Sequence, residues 1–129
     1  MTAATIRHPD IEIYLAGINA RRAQEWLETV LGKPSTSAAR GIQTQLRFDT
    51  QHHTIPVLVV EKAAGRYTSL WFDSPATPWA TDLECAREAR QFFQCEVRCI
   101  HSGWQEGDDP DEWWSLTAEG ERLIQWRSA

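Results

Sequence analysis

The 129-residue sequence has no long apolar run, no cluster of basic residues and no apolar segment at its start. A transmembrane helix needs roughly 20 consecutive apolar residues, and no stretch approaches that length. The first ten residues lack the apolar core of a secretory signal. We therefore expect a cytoplasmic protein with no membrane partner. The 13 Lys and Arg residues are scattered, and binding a phosphate backbone requires clustered positive charge, so a nucleic-acid partner is disfavoured.

Cysteine is scarce, with only Cys85, Cys95 and Cys99 in the chain. An odd number without a secretion signal argues for reduced thiols rather than disulfides. In an extended strand Cys95, Cys99 and His101 would share one face, but the two sulfurs would lie about 13 Å apart, too far for one zinc tetrahedron. We therefore predict no metal site and no cofactor, and interpret the cysteines as small buried hydrophobic residues.

Motifs of the common reaction classes are also missing. No serine lies in a Gly-x-Ser-x-Gly turn, and there is neither a phosphate-binding glycine-rich loop nor a His-Glu-x-x-His zinc motif. His52 and His53 titrate near neutral pH, but no cysteine or carboxylate stands at a complementary spacing. The sequence thus gives no specific indication that the chain is an enzyme.

Two helices are indicated by capping residues and by apolar positions at helical spacing. The first is predicted over residues 20–31, with Asn19 as its N-cap and Gly32 at its end. The second is predicted over residues 78–93, because Thr77 followed by a proline matches an N-cap before the first helical position.

Apolar runs with the strand period predict seven strands, and the predicted order is β-α-β-β-β-α-β-β-β. The strands are residues 11–16, 43–49, 55–60, 67–72, 95–100, 113–117 and 122–126. The polar stretch 33–42 is predicted to be a loop. Short turns favour antiparallel pairing, with both helices packed on one sheet face. We expect a single α+β domain over residues 1–129, of which residues 1–9 form a flexible N-terminal segment.

The most unusual stretch is residues 104–114, WQEGDDPDEWW. It contains five carboxylates and no basic residue, so its charge of −5 equals the formal net charge of the whole chain. A calcium loop is disfavoured, because the D-x-[DN]-x-[DN]-G register is absent and Pro110 interrupts the spacing. Two interpretations remain: a solvated loop that only aids solubility, or a surface that binds a protein partner.

Tryptophan is abundant, with seven residues, and four of them fall on apolar faces of predicted helices or strands. Trp113 and Trp114 are adjacent at the start of a strand, so their side chains must point to opposite sheet faces. If the helices cover only one face, the outward tryptophan lies beside the acidic stretch, where an aromatic side chain is a favoured interface anchor.

These features lead to the hypothesis of a small protein-binding module, of the inhibitor, immunity or adaptor type, for a partner with a basic surface. Carboxylates would steer the partner, and a tryptophan would be buried against it. The alternatives are a small-molecule-binding domain or an enzyme with an apolar, tryptophan-lined pocket, and a homodimer that pairs exposed sheet faces. The predicted binding residues are Trp104, Asp108, Asp109, Asp111, Glu112, Trp113 and Trp114.

Overall fold

The computed structural model describes residues 7–101 and 111–126, which form one antiparallel sheet and two helices. The elements in chain order are β1 (Ile11–Ala16), α1 (Ala20–Leu31), β2 (Thr36–Arg40), β3 (Gln43–Asp49), β4 (Thr54–Ala64), β5 (Tyr67–Phe72), α2 (Asp82–Phe93), β6 (Val97–Ile100), β7 (Glu112–Thr117) and β8 (Gly120–Gln125). The predicted α+β fold class is confirmed. Within the described ranges no helix is long and apolar enough to cross a bilayer.

The sheet has eight strands in the order β2-β3-β4-β5-β1-β6-β7-β8. Every neighbouring pair is antiparallel. Short turns predict this arrangement for β2-β3, β3-β4, β4-β5 and β7-β8. The first strand of the chain lies at the centre, between β5 and β6. Side chains of β1 therefore face neighbours from both halves of the sequence.

Both helices pack on one face of this sheet, which carries the hydrophobic core. Trp26 of α1 stacks on Trp79 with ring centroids 5.5 Å apart. It also meets the ring of Phe93 in α2 at 5.7 Å. Full burial of a large apolar side chain stabilises a fold by about 1.5–3 kcal/mol, so this face supplies most of the driving force for folding. Alternate strand residues also belong to the core, among them Ile11, Ile13, Leu15, Val57, Val59, Leu70, Phe72, Val97 and Leu116.

The N-terminus of α1 is the predicted one: Asn19 Oδ1 accepts a hydrogen bond from the backbone N–H of Arg22 at 2.9 Å. Helix α2, however, starts at Asp82 rather than at residue 78. Its N-cap is Thr81, whose hydroxyl accepts from the backbone N–H of Glu84 at 3.3 Å. Thr77 makes a tight turn instead, because its hydroxyl donates to the carbonyl of Trp79 at 2.8 Å.

The predicted loop 33–42 is wrong at residues 36–40, which form β2. All five residues of β2 are exposed, and the strand lies at one edge of the sheet. It forms by pairing with β3, from Thr36 opposite Arg47 to Arg40 opposite Gln43. A strand with neither face buried has no apolar alternation, which is why its sequence resembles a loop.

The described part of the N-terminal segment is hydrogen bonded to the rest of the domain. Arg7 Nη1 donates to the carbonyls of Pro75 and Thr77, both at 2.9 Å. His8 Nδ1 lies 2.8 Å from Asp82 Oδ1. Of the predicted flexible segment 1–9, residues 1–6 lie outside the described residues.

Candidate functional site

The sheet face opposite the helices is uncovered by any helix among the described residues, and we call it the open face. Strand register arranges its side chains in rows across the sheet. One row runs through Gln45, Leu58, Trp71 and Glu12. The next row runs through Gln43, Val60, Ser69, Tyr14, Arg98, Ser115 and Arg122. The open face thus mixes aromatic, charged and hydroxyl side chains.

Four aromatic residues gather on this face: Tyr14, Tyr67, Trp113 and Trp126, here called the open-face aromatic cluster. The ring centroids of Trp113 and Trp126 are 5.0 Å apart, and Tyr14 meets these two rings at 5.5 and 5.2 Å. Tyr67 meets Trp126 at 5.1 Å. Edge-to-face pairs at such distances are favourable, so the cluster forms a packed apolar platform.

The two adjacent tryptophans point to opposite faces, as strand alternation predicts. Trp113 belongs to the open-face aromatic cluster. Trp114 packs against the helix-side core, with its ring 5.6 Å from that of His101. Both side chains are half-buried. Trp113 is therefore the one of this pair that a partner on the open face would meet.

Glu96 organises one side of the aromatic cluster. Its Oε1 accepts from the Tyr67 hydroxyl at 2.7 Å, while its Oε2 accepts from Arg98 Nε at 2.8 Å and from the Ser115 hydroxyl at 2.5 Å. Burial alone raises the pKa of Glu96, but the hydrogen bonds from Ser115, Arg98 and Tyr67 outweigh it and lower the pKa below 4.5. The Arg98 guanidinium in turn lies 4.7 Å from the ring centroid of Trp126.

A gap opens in the sheet beside this cluster, where β1 and β6 separate. Their pairing includes Tyr14 opposite Arg98, so a continued ladder would bring Glu12 opposite Ile100. Instead, the backbone N–H of Glu12 donates to Asp82 Oδ2 at 3.2 Å. The gap contains a cavity of about 60 Å³, which is lined by Asp10, Glu12, Asp82, Ile100 and Trp113. We call this place the carboxylate gap.

The carboxylates of this gap are only partly compensated inside the protein. Burial, together with the charges of Asp82 and Asp10, raises the pKa of Glu12 despite a 2.8 Å hydrogen bond from Ser69. Burial also raises the pKa of Asp82, and its bonds to His8 and to the Glu12 N–H offset only part of that effect. The raised pKa values indicate that a positive charge brought here would be stabilised.

The described end of the acidic stretch, Asp111 and Glu112, directly precedes Trp113, which lines the gap. The carbonyl of Asp111 accepts from the backbone N–H of Trp126 at 2.8 Å. Glu112 Oε1 lies 3.0 Å from His101 Nδ1. Strand alternation places the Glu112 side chain on the helix side of the sheet, away from Trp113. Of the predicted binding residues, Trp104, Asp108 and Asp109 lie outside the described residues.

Sequence reasoning missed Asp10, Glu12 and Asp82 as site residues. Asp82 is separated from Glu12 by 70 positions, so no local pattern links them. The only signals are the outward position of Glu12 on an alternating strand and an acidic residue in the first turn of a helix. Of the two adjacent tryptophans that the sequence predicts as binding residues, Trp113 is the one that lines this cavity.

A larger groove lies on the open face above β2, β3, β4 and β5, with a volume of about 360 Å³. Its lining includes Ala38, Leu58 and the half-buried indole of Trp71. Trp71 Nε1 donates to Asp10 Oδ2 at 2.7 Å, which fixes the orientation of the indole. Asp10 therefore joins the groove to the carboxylate gap.

Metal and thiol chemistry have little support in the described ranges. No group of three or more His, Cys, Asp and Glu residues there has an arrangement that could hold a metal ion. The thiols of Cys85 and Cys99 are buried in the core. Burial raises the pKa of both well above the ordinary value of 9.0, so neither is an activated nucleophile.

Comparison with known proteins identifies no relative of the chain. No protein-family model, no curated protein and no solved structure matches it. Function must therefore be inferred from the surface chemistry of the described residues.

Proposed function

We propose that the chain is a small cytoplasmic protein-binding module, of the inhibitor, immunity or adaptor type, that docks a partner with a basic surface. One observation carries the proposal: Trp113 lies half-buried on the open face at the rim of a cavity that Asp10, Glu12 and Asp82 also line. An aromatic platform beside buried carboxylates combines the two features that anchor a basic side chain.

A Lys or Arg side chain from the partner fits this combination. Its aliphatic stem can pack on the rings of Trp113 and Tyr14 while its charged head reaches the carboxylate gap. A cation near an aromatic face gains about 0.5–2 kcal/mol in addition. The raised pKa values of Glu12 and Asp82 point the same way, since an incoming positive charge relieves the unfavourable ionisation of both.

The acidic stretch adds steering to this anchor. Residues 105–112 carry five negative charges, and a local charge of one sign raises the association rate with an oppositely charged partner. In this proposal Trp104, Asp108, Asp109 and Asp111 belong to the interface around Trp113, whereas Glu112 faces the helix side and adds only to the charge that steers the partner. Trp114 supports the strand from the helix side.

The test is capture of binding partners from native cell lysate at low and high salt by the wild-type chain and by Asp108→Lys/Asp111→Lys. We expect a basic partner whose capture falls with salt and is lost in the double variant, with little change in the thermal midpoint. Glu25→Lys/Glu119→Lys, which changes two exposed carboxylates elsewhere, is the matched control for net charge. Equal capture by both variants would contradict the proposal, and so would equal loss of stability and capture.

The second candidate function is small-molecule binding, which the groove beside Trp71 favours. Its volume of about 360 Å³ lies within the range of about 300–1,000 Å³ that is typical of ligand sites. A ligand that binds only the folded state raises the thermal midpoint, so a saturable shift would support this candidate. The third candidate is a homodimer that pairs through the open face. A monomeric mass in solution at tens of micromolar would contradict this candidate.

A further inference from the structure

We propose that the groove above β2–β5 binds a short zwitterionic peptide of two or three residues. Its carboxylate would bind Arg47, its ammonium group would bind Asp73, and an apolar side chain would pack on Trp71. The inference rests on the second candidate function and names its ligand class. It is independent of the protein-binding surface around Trp113.

Two opposite charges, Arg47 and Asp73, line the groove. Arg47 pairs with Pro56 across β3 and β4, and the backbone N–H of Asp73 donates to the carbonyl of Pro56 at 3.0 Å. Arg47 and Asp73 therefore flank Pro56 on either side, and two strand spacings separate their backbones by about 10 Å. Among the described residues neither side chain has a hydrogen-bonding or ionic partner.

This separation defines the ligand. Arg47 and Asp73 are both exposed and form no ion pair with each other, so both charges are available to a ligand that arrives from solvent. An extended chain covers at most about 3.6 Å per residue, so two or three residues place an ammonium and a carboxylate group at matching ends. Arg47 supplies a planar fork that suits a carboxylate, and Asp73 accepts from an ammonium group.

The floor beside the two charges, in the neighbouring row of the sheet, is apolar and held in place. Leu58 and Trp71 are neighbours across β4 and β5, and both are half-buried. The hydrogen bond from Trp71 Nε1 to Asp10 fixes the indole before any ligand arrives. The small side chain of Ala38 on β2 leaves the space above the sheet open. An aromatic ligand side chain therefore finds a preformed stacking surface.

Two further polar side chains favour a ligand that contains amide groups. Gln45 and Thr36 line the groove on its Arg47 side, with Gln45 on the same strand as Arg47 and Thr36 opposite Arg47 on β2, and both are exposed. In the part of the chain that the structure describes, neither side chain is engaged in a hydrogen bond. An amide and a hydroxyl each offer a donor and an acceptor, which matches the alternating N–H and C=O groups of a peptide.

The test uses the tripeptide glycyl-phenylalanyl-glycine and two blocked forms of it, one N-acetylated and one C-amidated. Binding is followed by the NMR signal of the Trp71 indole N–H, which Trp71→Phe identifies. We expect the free tripeptide to shift this signal saturably. Each blocked form should bind at least about fivefold more weakly, because it lacks one charge.

Two variants assign the charges to residues. Arg47→Gln should weaken binding of the free tripeptide about fivefold and leave binding of the C-amidated form unchanged. Asp73→Asn should also weaken binding of the free tripeptide about fivefold, and it should leave binding of the N-acetylated form unchanged. Arg40→Gln, on the same sheet face but on β2 and outside the groove lining, is the control and should change nothing.

The outcomes that overturn the inference are distinct. If the blocked forms bind as well as the free tripeptide, the groove binds ligands but the zwitterionic class is wrong. If none of the three peptides shifts the Trp71 signal, the inference fails, whereas a thermal shift with another ligand class would keep the second candidate function. Partner capture through Trp113 is measured separately and is unaffected by either result.

Discussion

The backbone N–H of Glu12 donates to the Asp82 carboxylate at 3.2 Å, at the point where β1 and β6 no longer pair. A side chain from the first turn of α2 thus takes the place of a strand partner. The same carboxylate lies 2.8 Å from His8 Nδ1. Asp82 therefore links the helix, the central strand and the N-terminal segment, and keeps the carboxylate gap open without leaving a buried backbone donor unpaired.

Asp82→Ala should lower the free energy of unfolding by about 1–3 kcal/mol, because a buried N–H loses its acceptor. Asp82→Asn should lower it less, since the amide oxygen still accepts one of the two bonds. Urea unfolding of both variants at neutral pH measures the difference. Equal stability of the alanine variant and the wild type would mean that the backbone of β1 closes onto β6.

Glu12→Gln tests the electrostatics of the gap. The pKa of Glu12 in the folded chain is raised above its ordinary value of 4.5, so the folded state binds this proton more tightly than the unfolded state does. Stability therefore falls as pH rises from 4.5 through the raised value. Glutamine cannot ionise, and its oxygen can still accept from Ser69. We expect urea unfolding to show the variant gaining stability relative to wild type as pH rises from 4.5 through the raised pKa; a pH-independent difference would contradict this.

Glu96→Gln should show the opposite pH dependence. The pKa of Glu96 is lowered below 4.5 in the folded chain, so its ionised form contributes stability above 4.5 that is lost as pH falls through the lower value. Hydrogen bonds to a charged group contribute about 1.5–3 kcal/mol each at most. We expect a loss of about 1–3 kcal/mol at neutral pH that disappears in acid. Glu119→Gln, at an exposed position, should show no such loss.

The elements that were predicted correctly are those that depend on residues close together in the chain. The alternation in Ile11–Ala16 follows from one buried face, and the same rule placed Trp113 and Trp114 on opposite faces. The Asn19 cap was visible because it needs only the next three residues. The start of α2 had a local signal too, since Thr81 and Glu84 stand at capping-box spacing, but the Thr–Pro pair four residues earlier resembled a cap more closely.

Two features had no local signal. Strand β2 buries no side chain, so its position depends wholly on the ladder with β3 and leaves no apolar alternation. The carboxylate gap brings Asp10 and Glu12 next to Asp82 only because β1 lies at the sheet centre. Such a placement depends on strand order, which periodicity does not determine.

The three cysteines should differ in reactivity. Cys85 and Cys99 are buried and Cys95 is half-buried, and burial raises the pKa of each thiol. We expect an alkylating reagent at about pH 8 to modify Cys95 alone in the folded chain, with the other two reacting only in denaturant. Mass spectrometry of the alkylated peptides measures this. Rapid modification of Cys85 under native conditions would show that the core opens locally near α2.

The pair Tyr14 and Trp113 decides whether the aromatic platform exists before a partner arrives. Their rings meet at 5.5 Å and 80°, a geometry in which a pair contributes about 0.5–1.5 kcal/mol beyond burial. A double-mutant cycle with Tyr14→Leu and Trp113→Leu should therefore give a coupling energy in that range for the free protein. Leu58→Ala, in the groove rather than the cluster, should add to Trp113→Leu without coupling. A preformed platform loses less side-chain freedom on binding, which favours tight docking; zero coupling would mean that Trp113 is ordered only by its partner.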